Sequence, residues 1–490
     1  MIVKFPQIKR FSRFLILSTG FLHAGCIAEN VNNGNSGDSQ GQIASEKKAD
    51  SDKKKTVRTN KTWDSVPKNI IVFIGDGMGI STITAGRIFD GQSKGKKGEE
   101  HELSFDSFEN VALIKTYNTN AQVPDSAGTA TAILSGYKTN IGAINVRPDD
   151  DVKKMVLNSC VLKREPKTLT QRAKKADRSV GVISTARITH ATPAAMYGHA
   201  VDRGWETDGD VDERAAKFRC KGLAGQLLKS AIDITLGGGR SKFTDEQIAD
   251  WRKKSGRSYV STAAELRAAS KDDTILGLFT PSHMSYEADR DDTKEPSLAE
   301  MTDFTIEALS TRGEGYVMMV EAGRVDHAHH GTNAYRALRD MQALNDAVEL
   351  AKEKTGDDTL IIVTADHSHV FTLAGYPVRG NPILGLVRNP DPIAGGAAKD
   401  YAKARDGKPY TTLGYQNGPN VREADSPTLS DNAVQAEDYQ QQTAVNLDSE
   451  THSGEDVALF ATGPGASRFK GVMEQDEIGQ ILTDLLKAKK

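Results

Sequence analysis

Five continuous apolar runs, each lying beside carboxylates or imidazoles, constrain this chain more than any other feature. Ile70-Ile71-Val72-Phe73-Ile74 leads into Gly75-Asp76-Gly77, and the run 316–320 leads into Glu321 and then Asp326-His327-Ala328-His329-His330. The run 359–364 is followed by Asp366-His367-Ser368-His369, the run 179–184 by Thr189-His190-Ala191-Thr192, and His452 stands just before the run 456–461. Runs of this length without polar alternation read as strands buried on both faces. Helical periods over 127–134, 169–176, 334–354 and 476–487 alternate with them. That alternation predicts an α/β fold with a largely parallel sheet covered on both faces. Ligands of such sheets bind at the carboxyl ends of the strands. The polar groups above are grouped beside those ends.

The chain has 490 residues, 63 Lys+Arg against 66 Asp+Glu, and a formal charge of -3. That length suits one large α/β domain with insertions, or two or three ordinary domains. Near-balanced charge argues against a dedicated nucleic-acid partner, which calls for a basic excess. After the first 25 residues no apolar stretch approaches the roughly 20 needed to cross a bilayer. Residues 1–25 read as a signal peptide: Lys4, Lys9, Arg10 and Arg13 precede a short apolar run that ends in His23-Ala24-Gly25-Cys26. Cys26 after Ala-Gly resembles a bacterial lipobox and is the lipidation candidate, although His23 stands where that motif usually has an aliphatic residue. Residues 26–61, rich in Asn, Gly, Ser, Lys and Asp, suit a flexible tether. The expected location is outside the cytoplasm, periplasmic or membrane-tethered by an N-terminal lipid. Cys160 and Cys220 then remain as an even pair in an oxidising compartment, which favours a disulfide over two free thiols.

The histidines His190, His199, His327, His329, His330, His367, His369 and His452 cluster in these motifs. A single histidine beside a strand is usually a satisfied polar residue. Several Asp/His pairs, each beside a different strand, point instead to a multi-metal site. Mixed Asp and His ligands suit zinc, whereas Glu, Asp and a hydroxyl suit the harder magnesium ion. Asp125-Ser126-Ala127-Gly128 opens a small-residue helical stretch, where backbone N–H groups and the helix dipole favour an anion. Taken alone, Asp125 or Ser126 reads as an N-cap. No Gly-x-Ser-x-Gly elbow surrounds the serine.

Four motifs in one order carry a resemblance: Asp125-Ser126-Ala-Gly-Thr-Ala-Thr, Glu321-Ala-Gly-Arg-Val-Asp326-His-Ala-His-His330, Thr364-Ala-Asp366-His367-Ser-His369 and Thr451-His452-Ser-Gly-Glu-Asp. Together they closely resemble alkaline phosphatase from about Val66 to the C-terminus, in spacing nearer the animal-type branch than the enterobacterial one. The resemblance implies a three-layer sandwich around a largely parallel central sheet, as one domain over 62–490 with a crown-type insertion at about 375–446. It implies two zinc ions and one magnesium ion. Asp366 and His367 match the ligands of one zinc, shared with Asp76, which also faces the magnesium. Asp326, His330 and His452 match the ligands of the other zinc. Glu321 and Thr192 match magnesium ligands, with His190 beside that ion. Ser126 matches the nucleophile that becomes phosphoserine, and Arg203 the arginine that clamps phosphate, oriented by Asp125. The Cys160/Cys220 pair also falls where animal-type enzymes have a disulfide.

The activity implied is that of an exported, homodimeric phosphomonoesterase of broad specificity that hydrolyses small-molecule phosphate monoesters. Two rival readings are a phosphodiesterase or sulfatase-type hydrolase of the same superfamily and a non-catalytic surface protein that binds phosphate or metal. One departure concerns calcium. Animal-type enzymes often use a Phe-Glu pair and a later acid for a fourth site, but here the stretch reads Phe279-Thr280 with Glu295 further on. One carboxylate of that calcium set is missing.

Overall fold

The computed structural model describes residues 65–149, 155, 165–218 and 220–487. The signal peptide, Cys26, the whole of the tether and Cys160 lie outside them. The strands in chain order are β1 (Asn69–Gly75), β2 (Asn110–Lys115), β3 (Ser179–Arg187), β4 (Ile234–Gly238), β5 (Arg257–Val260), β6 (Thr274–Leu278), β7 (Tyr316–Ala322) and β8 (Thr359–Ala365). After these come β9 (Ser368–His369), β10 (Phe371–Leu373), β11 (Leu413–Gly418), β12 (Thr443–Asn446), β13 (His452–Ser453), β14 (Val457–Thr462) and β15 (Gly471–Glu474). Ten strands form one sheet in the order β15-β2-β14-β8-β1-β7-β3-β4-β6-β5. Every residue of β1, β7 and β8 is buried, as continuous apolar runs in the middle of a parallel sheet require. Helices cover the sheet. The longest, Ala334–Lys354, buries Ala337, Leu338, Met341, Leu344, Ala347, Val348 and Ala351 at three- and four-residue spacing.

The run 456–461 was expected to follow the pattern of the parallel strands. Instead β14 is antiparallel to both of its neighbours, β2 and β8. The cause is the step before it. β13 pairs with β9 just beyond the carboxyl end of β8, so the chain enters β14 from that end and must run back down the sheet. The reversal carries His452 to the end where β1, β7 and β8 deliver their polar residues.

The segment 375–446, expected to be irregular, supplies β11 and β12. With β10 these form a three-stranded sheet, and Phe371, Ile383, Leu384, Leu413 and Tyr415 share an apolar cluster with Ala85, Ala334 and Leu338. Among the described residues no helix is long and apolar enough to cross a membrane.

Candidate metal centre

Ser126 is the first residue of the helix Ser126–Ser135, all of whose residues are buried. Asp125 caps that helix by accepting from Gly128 N at 3.1 Å. Its other oxygen lies 3.1 Å from Arg203 Nη1, so the carboxylate is both a helix cap and an ion-pair partner. Ser126 Oγ is 3.1 Å from His367 Nε2 and donates to Asp76 Oδ1 at 3.4 Å. His367 Nε2 in turn lies 3.4 Å from Asp76 Oδ1 and 3.3 Å from Asp366 Oδ2. A tetrahedral ion with bonds of about 2.0–2.1 Å needs donor atoms spaced near ~3.3 Å. Ser126, His367, Asp76 and Asp366 therefore offer a donor set of zinc size with the serine hydroxyl as one corner. Thr129 Oγ1 donates to Asp366 Oδ2 at 3.1 Å and Gly77 N to Oδ1 at 3.0 Å, which fixes that carboxylate. Gly77, at φ +71°, has to be glycine. A Cβ there would sit 2.3 Å from the ring of His369.

Asp326, His330 and His452 make a second set. The imidazole Nε2 atoms are 3.1 Å apart, and they lie 3.4 and 3.3 Å from Asp326 Oδ1. His330 Nδ1 faces the Glu450 carbonyl at 2.7 Å and His452 Nδ1 the Pro124 carbonyl at 2.8 Å. A carbonyl only accepts, so both Nδ1 atoms carry the proton and both Nε2 lone pairs point at one carboxylate oxygen. Convergent lone pairs repel unless a cation lies among them, and the backbone carbonyls set the ring orientation as outer partners of metal ligands do. His367 follows the same rule, with Nδ1 at 3.3 Å from the Ser368 carbonyl.

A third set lies on the other side of Asp76. Asp76 Oδ2, Glu321 Oε1 and Thr192 Oγ1 are buried without a hydrogen-bond partner among the described residues. Oxygens of this kind suit magnesium. Ser184 Oγ donates to the other oxygen of Glu321. Burial pushes Asp76 well above the ordinary carboxylate range, and repulsion from Asp366, Asp326 and Glu321 adds to it. Burial likewise pushes Glu321 up to about 7. His190 has a nitrogen within 4.8 Å of oxygens of Asp76 and Glu321. Its Nε2 accepts from Arg203 Nη2 at 2.9 Å, so the ring proton is on Nδ1, which is buried and unpartnered. Burial, then the charges of Arg203 and His327, hold His190 well below the usual imidazole range.

Two residues that the sequence left without a role complete the cluster. His369 Nε2 is 2.9 Å from Asp326 Oδ1, and its Nδ1 is 2.6 Å from Glu450 Oε2. With a carboxylate on each nitrogen, His369 donates both ways. Burial lowers it, but hydrogen bonds to Asp326 and Glu450 outweigh that and push it up to about 9. Burial raises Asp326, yet the His369 hydrogen bond leads the interactions that hold it well below the usual range. The available signal was the His-x-His spacing of His367 and His369; nothing local marks Glu450. Two other histidines stand apart. His329 meets Thr82 Oγ1 at 3.0 Å and Tyr415 OH at 2.8 Å, while His199 meets the Pro166 carbonyl at 2.9 Å. In the stretch considered for calcium, Glu295 accepts from Ser285 N at 2.9 Å and Ser285 Oγ at 2.7 Å, and Thr280 Oγ1 donates to the Ser282 carbonyl.

Over residues 67–488 the chain matches the family described as alkaline phosphatase. It is 40% identical over 462 residues to the tissue-nonspecific alkaline phosphatase isozyme of Rattus norvegicus, covering 88% of this chain and 85% of that protein. It is 41% identical over 449 residues to the isozyme of Gallus gallus, covering 84% and 83%. The alkaline phosphatase of the Antarctic bacterium TAB5 shares the fold at a TM-score of 0.61 and 23% identity, over 87% of this chain and all 100% of that one.

Proposed function

The chain belongs to the alkaline phosphatase family, metal-dependent phosphoric monoester hydrolases (EC 3.1.3.1), and from that premise we propose that it hydrolyses phosphate monoesters through a phosphoserine on Ser126. One observation carries the reading: Ser126 Oγ is buried at a helix N-terminus, 3.1 Å from His367 Nε2, on the helix whose cap residue holds Arg203. Asp76, Asp366 and His367 would hold one zinc, Asp326, His330 and His452 the other, and Asp76, Glu321 and Thr192 a magnesium beside His190. When bound, these ions supply Lewis-acid stabilisation of the attacking and leaving oxygens and lower the pKa of water.

The protein's own groups do the rest. Arg203, oriented by Asp125, binds two oxygens of the phosphoryl group and sets it in line with Ser126. Ser126 Oγ forms the new P–O bond as the ester oxygen departs and takes up a proton. Water then attacks phosphorus, the Ser126 Oγ–P bond breaks, and inorganic phosphate leaves with the serine regenerated. The site lies at the carboxyl ends of β1, β7 and β8, where α/β sheets bind ligands, and broad specificity for small monoesters is part of the same reading. Signal and lipobox-like residues support export and lipid attachment at Cys26, followed by the tether. The Cys160–Cys220 disulfide, the homodimer and the crown role of 375–446 belong to the same proposal.

The test is acid trapping of labelled phosphate. Wild type should carry it on Ser126, and Ser126→Ala, which still has Asp76, Asp366 and His367 to hold the ion, should trap none. Label on another residue overturns the assignment. Monoester turnover lost to a chelator, with diester turnover much lower throughout, separates a monoesterase from a diesterase or a non-catalytic binder.

A further inference from the structure

At the opposite end of the sheet the strands β1, β3 and β7 begin beside a cavity of about 740 Å³ lined by Lys167, Arg172, Lys175, Arg178 and Lys487. Asp177 and Glu314 are the carboxylates in its lining, which leaves three positive charges over. Arg178, 9% exposed, donates to the carbonyls of Pro67, Lys68 and Glu314, and Arg172 donates to the Ser135 carbonyl and Thr483 Oγ1. Gly315 sits against this knot, where a Cβ would meet the Lys68 carbonyl at 2.1 Å. Glu314 acts on Arg178 in partial compensation, and Lys167, Lys175 and Lys487 stand exposed around the knot. The whole chain carries a net charge of -3, so this basic face is a local asymmetry.

The chain enters the fold at this same face. Pro67 and Lys68, whose carbonyls Arg178 holds, lie just before β1. Immediately upstream, residues 47–61 contain 7 Lys+Arg against 2 Asp, and Lys489 and Lys490 follow Lys487 at the other terminus. We propose that the face at the amino ends of β1, β3 and β7 docks on an anionic phospholipid surface.

The occupant follows from position and charge. A tether that could carry a lipid at Cys26 reaches the fold through this face, and the surface offered there is positive. Lysines near an anionic bilayer each add to partition and act within a Debye length, so a face held close by a tether gains from every one of them. Strands of seven residues rising about 3.3 Å each put the metal centre roughly 20 Å away at the other end of the sheet. Docking by this face therefore points Ser126 and Arg203 away from the bilayer, toward soluble substrate. Docking presupposes export and no other part of the proposed function. Partition onto vesicles is read without turnover, so the two readings fail separately.

The experiment uses the chain from residue 26 onward carrying Cys26→Ser, so that no acyl chain contributes. It should sediment with vesicles of mixed phosphatidylcholine and phosphatidylglycerol, not with phosphatidylcholine alone, and high salt should release it. Lys167→Glu with Lys175→Glu and Lys487→Glu should lower partition onto the mixed vesicles by roughly a hundredfold, with circular dichroism and monoester turnover unchanged. Equal partition of the variant and its parent overturns the proposal, since the basic tether then acts alone. So does an absence of preference for anionic vesicles.

Discussion

Asp125 joins the helix that Ser126 opens to Arg203 through a single carboxylate. Its Oδ2 lies 3.1 Å from Arg203 Nη1, while its Oδ1 accepts from Gly128 N at 3.1 Å and Gly142 N at 3.0 Å. Arg203 is thereby held in register with Ser126. Arg203→Ala removes charge-assisted hydrogen bonds worth roughly 1.5–3 kcal/mol each. Monoester kcat/KM should drop at least tenfold and inhibition by inorganic phosphate should weaken. Diester hydrolysis should suffer less, because a diester carries one fewer negative charge. Equal losses with both substrates would count against a dianion clamp.

The Glu450 carboxylate bonds His369, whose two nitrogens bridge Glu450 and Asp326, while the Glu450 carbonyl accepts from His330 Nδ1. Glu450→Gln keeps the shape but removes the charge that keeps the imidazole protonated on both sides. Outer-shell changes of this kind cost about 10–100-fold in metal affinity. Zinc should pass to a competing chelator correspondingly sooner, and one of the two zinc ions should go first. Chelator competition with metal counted per chain measures this, and wild-type retention of both ions would refute it.

His190 turns its accepting nitrogen to Arg203, and as an imidazole it has no anionic oxygen to give the magnesium set. Magnesium prefers such oxygens. His190→Asp should bind magnesium more tightly and depend less on added magnesium, with kcat unchanged or lower. Calorimetric titration of magnesium into metal-stripped protein decides the matter, and an unchanged affinity disposes of the idea.

Asp340, 2% exposed on the helix Ala334–Lys354, accepts from Glu287 N at 3.2 Å. Burial pushes its carboxyl up to about 8, with Arg324 the opposing cation and Glu287 and Asp289 adding repulsion. A raised folded-state pKa means the native state holds the proton longer than the unfolded chain does. The stabilising contribution is complete below about pH 4 and lost as pH rises through about 8. Asp340→Asn should remove that slope, up to about 1.4 kcal/mol per pH unit. The variant's advantage in urea unfolding should widen between pH 4 and pH 8 and stay level above. A constant difference across that window would mean the carboxyl is already ionised.

The sequence by itself determined the parts of this protein whose physics is local. Runs such as Ile70–Ile74 must be buried on both faces, so a parallel sheet with its polar groups beside the strand ends is legible along the chain. So are Asp76, Glu321, Asp366 and His367, each within a few residues of such an end. The alkaline phosphatase resemblance pointed to Ser126, inside one of its motifs, and to Arg203 by its distance from His190. Only the tertiary structure decided the rest. β14 runs antiparallel because β13 pairs with β9, a contact between residues far apart in the chain. His369 became a doubly hydrogen-bonded cation, not a role-free neighbour of His367, because Glu450 arrives from 81 residues away. The basic face exists because Lys167, Arg178 and Lys487 come from separate elements that meet only when the amino ends of β1, β3 and β7 align. Periodicity and strand-end chemistry are written along the chain. Hydrogen-bond partners and surface charge depend on which distant segments the packed sheet brings together.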